Sequence, residues 1–126
     1  MRLLLDTHVL LWALAAPARL PAKVSAAIRD PSNMVHVSAT SGWEIAIKVA
    51  LGKLKADLDE ISRAVAEVGF EELPVRMAHA RRLRALPAHH RDPFDRMLVA
   101  QAIEEGLTLV TRDRQLGAYG VPIAWG

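Results

Sequence analysis

The stretch Leu3-Leu4-Leu5-Asp6-Thr7-His8-Val9-Leu10-Leu11-Trp12 decides the fold. Three consecutive leucines predict a short strand buried on both faces. The run stops at Asp6, and residues 8–16 then read as a helix ended before Pro17. A buried strand that passes directly into a helix is the opening of a βαβ unit.

The same alternation continues outward from it. Pro21 opens a helix over 21–29, in keeping with proline's place in the first helical turn. Residues 35–37 predict a second strand. Residues 42–51 predict a helix that stops at Gly52, and 58–68 another before Gly69. A third strand is expected at 72–75, a basic helix at 76–86 and a helix at 93–105 closed by Gly106. Strands at 107–110 and 121–124 complete the pattern. The expectation is an α/β fold, a single domain over 1–126, with a short parallel sheet flanked by helices on both faces. Strand order stays open. Ligands of such sheets bind beyond the C-terminal strand ends, so Asp6 and Asp113 should point into one crevice.

Composition sets bounds on function. The chain has 126 residues, 52% of them hydrophobic, so it can bury one core. It has no cysteine, which excludes disulfides and thiolate metal sites. The apolar run after Arg2 is too short for a signal peptide or a membrane span, and a cytoplasmic location is the default expectation. The net charge is only +2. Its distribution says more: 73–91 holds no acid but contains Arg76, Arg81, Arg82, Arg84 and Arg91, with His79, His89 and His90.

Chemistry concentrates in four acidic segments: Asp6-Thr7-His8, Ser41-Gly42-Trp43-Glu44, Asp92-Pro93-Phe94-Asp95 and Thr111-Arg112-Asp113. Each has a bland explanation. Asp6 or Thr7 can cap the first helix, and Asp92 the helix begun by Pro93. Thr111 or Asp113 can cap a short last helix. Ser41 and Glu44 have capping-box spacing, and Glu44 with Lys48 is an ordinary i, i+4 pair. Together, however, all four fall at strand ends or first helical turns on one rim of the sheet. Crowded carboxylates raise one another's pKa, and a cation relieves them. All-oxygen ligands suit Mg²⁺ or Mn²⁺, with room for one or two ions.

These segments resemble the PIN domain, and specifically the VapC-type toxins of bacterial toxin–antitoxin pairs. The likeness lies in residues 4–12, in 41–48 with Leu51-Gly52-Lys53-Leu54, in 90–102, and in Leu109-Val110-Thr111-Arg112-Asp113. They stand in the family's order across nearly the whole chain. The resemblance implies a metal-dependent endoribonuclease with Asp6, Glu44, Asp95 and Asp113 as its acidic quartet. Asp92 is a further metal-ligand candidate, or else a cap or outer-shell group. Thr7 and Thr111 are accessory, orienting a ligand or water. Water activated by the metal leaves 5′-phosphate and 3′-hydroxyl ends. The resemblance also implies a cognate antitoxin, a homodimer, and contact with operator DNA only through the antitoxin.

For gripping RNA, the candidates are Arg91 and Arg96, then Arg81, Arg82 and Arg84. His89 and His90 are weighed as phosphate contacts, and a solvated helix face is the bland alternative. Trp12 and Trp43 fall in apolar helical patterns and are expected in the core, as are Ile45, Ile47, Val49 and Leu51. The histidines lack metal-ligand spacing, and His8 reads as structural. Helices 21–29 and 42–51 are candidate walls of an apolar groove. Two rivals remain: a nuclease or phosphatase with another substrate, and a non-catalytic RNA- or protein-binding module whose carboxylates only cap helices.

Overall fold

The computed structural model describes residues 1–125. Strand β1 (Arg2–Leu5) lies at the centre of a five-stranded sheet of order β3-β2-β1-β4-β5. Its companions are β2 (Met34–Ser38), β3 (Glu71–Leu73), β4 (Thr108–Val110) and β5 (Ile123–Ala124). Every pairing is parallel, with Leu5 opposite both Val37 and Val110. The expected α/β architecture is therefore present.

Leu3, Leu4 and Leu5 are all completely buried because both faces of the sheet are covered. Leu3 and Leu5 pack with Val9 and Leu10 of α1 (Thr7–Ala15), Val24 of α2 (Ala22–Arg29) and Ile45 of α3 (Ala39–Ala50). Ile61 and Val65 of α4 (Leu58–Glu67) close that side. Leu4 points the other way, against Leu98, Val99 and Ala102 of α6 (Pro93–Glu105). Each such buried side chain contributes about 1.5–3 kcal/mol. Helix α5 (Met77–Ala85) is fastened to α6 by His79–Glu105 and Arg82–Glu104 contacts.

Several boundaries differ from expectation. Helix α3 starts three residues earlier than the expected residue 42, because Ser38 is its cap and accepts from the Thr40 amide. Ser41 thus lies inside the first turn, and Ser41–Glu44 is not a capping box. Strand β3 ends at Leu73, just before Pro74, which has no amide to donate. A 3₁₀ turn at Pro17–Arg19 follows α1, and another at Arg114–Tyr119 follows β4. Helix α6 has the expected bounds and ends on Gly106, whose φ of 68° is the left-handed conformation that favours glycine. Among the described residues, no helix is long and apolar enough to cross a membrane.

The chain builds β2 and β3 on one side of β1, then β4 and β5 on the other. The change of direction leaves a crevice beyond the C-terminal ends of β1 and β4.

Candidate metal centre

Asp6 follows β1 and Asp113 follows β4, and both line this crevice, whose volume is about 500 Å³. His8, Trp12, His90, Asp95 and Arg112 complete its lining. Asp6 caps α1 with Oδ1, which accepts from the Val9 amide at 2.8 Å. Asp113 caps the second 3₁₀ turn, its Oδ1 accepting from the Gln115 amide at 3.0 Å. Asp92 caps α6, with Oδ1 accepting from the amides of Phe94 and Asp95. The capping explanation therefore holds for all three. It does not compete with ligation, since a cap occupies one carboxylate oxygen and fixes the direction of the other. At Asp113 that second oxygen faces His90.

Asp95 stands in the first turn of α6, directed into the crevice. Burial, reinforced by the nearby charges of Asp92 and Asp6, pushes its carboxyl up to about 7. Burial raises the Asp6 carboxyl too, against the opposing hydrogen bonds of the Thr111 hydroxyl and the Val9 amide. Thr111 is fully buried, and its Oγ1 also accepts from the Asp113 amide at 3.1 Å. These are carboxylates held where negative charge is costly.

Ligand atoms of His90, Asp95 and Asp113 lie within 4.8 Å of one another. The protonation of His90 decides its part. Its Nδ1 accepts from the Asp92 amide at 3.1 Å, so the neutral ring carries its proton on Nε2. That proton is donated to Asp113 Oδ2, 3.1 Å away. His90 is thus a donor that aims the Asp113 carboxylate, and the carboxylates that line the crevice are those of Asp6, Asp95 and Asp113. Oxygen ligands in a negatively charged crevice fit Mg²⁺ or Mn²⁺.

Glu44 is built differently. It is 3% exposed on α3 and does not line the crevice. Thr7 Oγ1 donates to its Oε1 at 2.6 Å, and Lys48 Nζ donates to its Oε2. The hydrogen bond to Glu44 holds the Lys48 ammonium above its usual pKa. Ser41 Oγ, 3.0 Å from Thr7 Oγ1, extends the chain. Below it, Gln101 of α6 accepts from Ser38, the cap of α3, and donates to the Pro74 carbonyl. The helices carrying Asp95 and Glu44 are locked together through that amide.

Some expected residues lie elsewhere. Arg82 pairs with Glu104 near the far end of α6, roughly 14 Å along the helix from Asp95. Arg96 donates to the Leu86 carbonyl at 3.1 Å. Arg81, Arg84 and Arg91 are exposed and do not line the crevice. Arg112 does line it, although its position between Thr111 and Asp113 was the only hint in the sequence. His90, weighed from the sequence only as a phosphate contact, also lines the crevice, two residues before Asp92. His8 is exposed on the crevice rim instead of structural.

Trp12 is half-buried, but Trp43 is 60% exposed, with Phe94 edge-on at 5.1 Å. Val49 and Leu51 are also exposed, at 38% and 63%. The apolar periodicity of α3 outlasts its buried part, so only Ile45 of that group is fully in the core. An apolar groove of about 490 Å³ runs between α3 and α4, lined in part by Leu10, Ile61, Val65 and Phe70. A smaller one, about 280 Å³, borders α2.

The family model of the PIN domain matches residues 3–121. The chain belongs to the PIN domain family. This PIN domain is 35% identical to Ribonuclease VapC22 of Mycobacterium tuberculosis, over 94% of this chain and 92% of that protein. Its fold is also that of solved structures. The VapBC2 structure from Rickettsia felis, bound to a DNA fragment from its promoter, superposes with a TM-score of 0.74 at 14% identity, over 100% of both chains. The DNA-bound VapBC structure from Salmonella typhimurium gives 0.72 at 17% identity, over 98% of this chain and 97% of that one. The likeness to these solved structures extends over nearly the whole fold.

Proposed function

We propose that this PIN domain is a metal-dependent endoribonuclease and the toxin of a toxin–antitoxin pair. The observation that carries this reading is the convergence of Asp6, Asp95 and Asp113 on one crevice, in a chain 35% identical to a named ribonuclease. Asp6, Asp95 and Asp113 hold Mg²⁺ or Mn²⁺. Bound there, the cation supplies Lewis acidity to a phosphodiester and lowers the pKa of water.

The protein's own groups do the rest. His90 keeps Asp113 aimed into the crevice. Asp92 orients the first turn of α6 and so Asp95. Glu44, fixed by Thr7 and Lys48, completes the acidic quartet from the side and positions water. Thr111 steadies Asp6 and the turn into Asp113. Arg112 on the rim meets RNA phosphates, with exposed Arg91, between His90 and Asp92 in sequence, beside it in this role. Hydrolysis leaves 5′-phosphate and 3′-hydroxyl ends.

The solved VapBC structures support a cognate antitoxin as partner and, through it, contact with operator DNA. The apolar groove between α3 and α4 is a suitable seat for an antitoxin segment. The protein acts in the cytoplasm as a homodimer. The test is incubation of purified protein with total cellular RNA, with Mn²⁺ or Mg²⁺ and with chelator, beside Asp6→Asn. Metal-dependent fragments with 5′-phosphate ends that disappear in the variant are expected. A 2′,3′-cyclic phosphate, or fragments unchanged in Asp6→Asn, would overturn the proposal.

A further inference from the structure

Glu44 is the one acid of the quartet whose two oxygens are both engaged by side chains from within the fold: Thr7 on Oε1 and Lys48 on Oε2. A carboxylate only 3% exposed must be paired if it is to stay ionised. Lys48 supplies that pairing from one helical turn away on α3, so its ammonium is held at Glu44 by the backbone itself. Its charge also acts on Asp92 and Asp95, on the neighbouring helix α6. A second divalent ion at Glu44 would have to sit against this ammonium, and like charges at that range repel.

We infer that Lys48 is a resident second cation of the site: it neutralises Glu44, keeps that carboxylate out of the ion's ligand shell, and limits the crevice to one divalent ion. The inference rests on the proposal that Asp6, Asp95 and Asp113 hold such an ion. Two-metal nucleases use a second ion, about 3.5–4 Å from the first, to balance carboxylate charge and steady the phosphate. Here a fixed ammonium takes over the charge balance. Lys48 is therefore a positioning residue for Glu44, whose two oxygens are engaged by Thr7 and Lys48 without any divalent ion.

The experiment is calorimetric titration of the purified full chain with MnCl₂. One Mn²⁺ per chain is expected for wild type and for Lys48→Arg, and two for Lys48→Met, with the second lost again in Lys48→Met combined with Glu44→Gln. Two ions in wild type, or one in a folded Lys48→Met protein, overturn the inference. Should Lys48→Met fail to fold, Glu44→Gln alone decides. An unchanged Mn²⁺ affinity, within about threefold, supports the inference, and loss of the ion overturns it. No Mn²⁺ binding by wild type overturns the metal-dependent reading itself, an outcome distinct from a count of two.

Discussion

His90 Nε2 lies 3.1 Å from Asp113 Oδ2 and 3.9 Å from Asp95 Oδ2, and the Asp92 amide on Nδ1 fixes which nitrogen bears the proton. A donor in this position orients the Asp113 carboxylate, which in the proposed function holds the metal. Outer-shell partners of this kind are worth about 10–100-fold in metal affinity. His90→Ala should therefore weaken Mn²⁺ binding by about tenfold or more in calorimetry. His90→Gln, whose amide can still donate, should recover much of it. If His90 were itself a ligand, the glutamine variant would lose as much as the alanine variant.

Asp95 makes the metal-free protein sensitive to pH. Its carboxyl titrates at about 7 when folded, against 3.8 for the ordinary side chain. Between those values the folded state binds more protons than the unfolded one, so stability falls as pH rises through this window. Asp6, also raised, acts in the same direction. With Asp95 in part open to solvent, the loss is on the order of 1–2 kcal/mol after screening. In chelator, the melting temperature should drop by a few degrees between pH 5 and pH 8. Asp95→Asn should flatten that dependence and raise the melting temperature at pH 8 while abolishing RNA cleavage. A variant no more stable than wild type at pH 8 would contradict the assignment.

Thr7→Val keeps the shape of the side chain and removes the hydroxyl that joins Ser41 to Glu44. A buried acceptor left without its donor costs about 1–3 kcal/mol. Chemical denaturation should report that loss, and the initial rate of RNA cleavage should fall with it. Thr7→Ser should restore both.

Gln101→Leu removes the amide that joins α6 to the cap of α3. The Pro74 carbonyl and the Ser38 hydroxyl then lose their partner, at a cost of about 1–3 kcal/mol. Mn²⁺ affinity should fall as well, because Asp95 is carried on α6. Thermal melting with and without Mn²⁺ separates the two effects: a purely structural residue would leave the Mn²⁺-induced shift intact.

The alternation of strands and helices was legible because a strand buried on both faces admits few polar residues, as Leu3 to Leu5 show. Asp6 and Asp113 were legible as crevice residues because both stand just past strand ends, where parallel sheets open. What was not legible depends on contacts between distant segments. Nothing local places β1 between β2 and β4. The spacing of Ser41 and Glu44 imitates a capping box, yet Ser38 wins the cap through its bond to the Thr40 amide and a second bond to Gln101, 63 residues away in sequence. Trp43 sits in an apolar helical pattern, but it lies off the face of α3 that buries Thr40, Ser41, Glu44 and Ile45, and its ring meets Phe94 at the surface. The role of His90 required the Asp92 amide and the Asp113 carboxylate at once, two partners that no spacing rule connects.

The central place of β1 has a consequence for the order in which the protein comes into being. During synthesis β1 finds a neighbour as soon as β2 is made, but its other edge waits for residues 108–110. Asp6 thus emerges well before Asp95 and Asp113 and stands without them until those segments are made. A chain interrupted anywhere before residue 113 lacks one wall of the crevice.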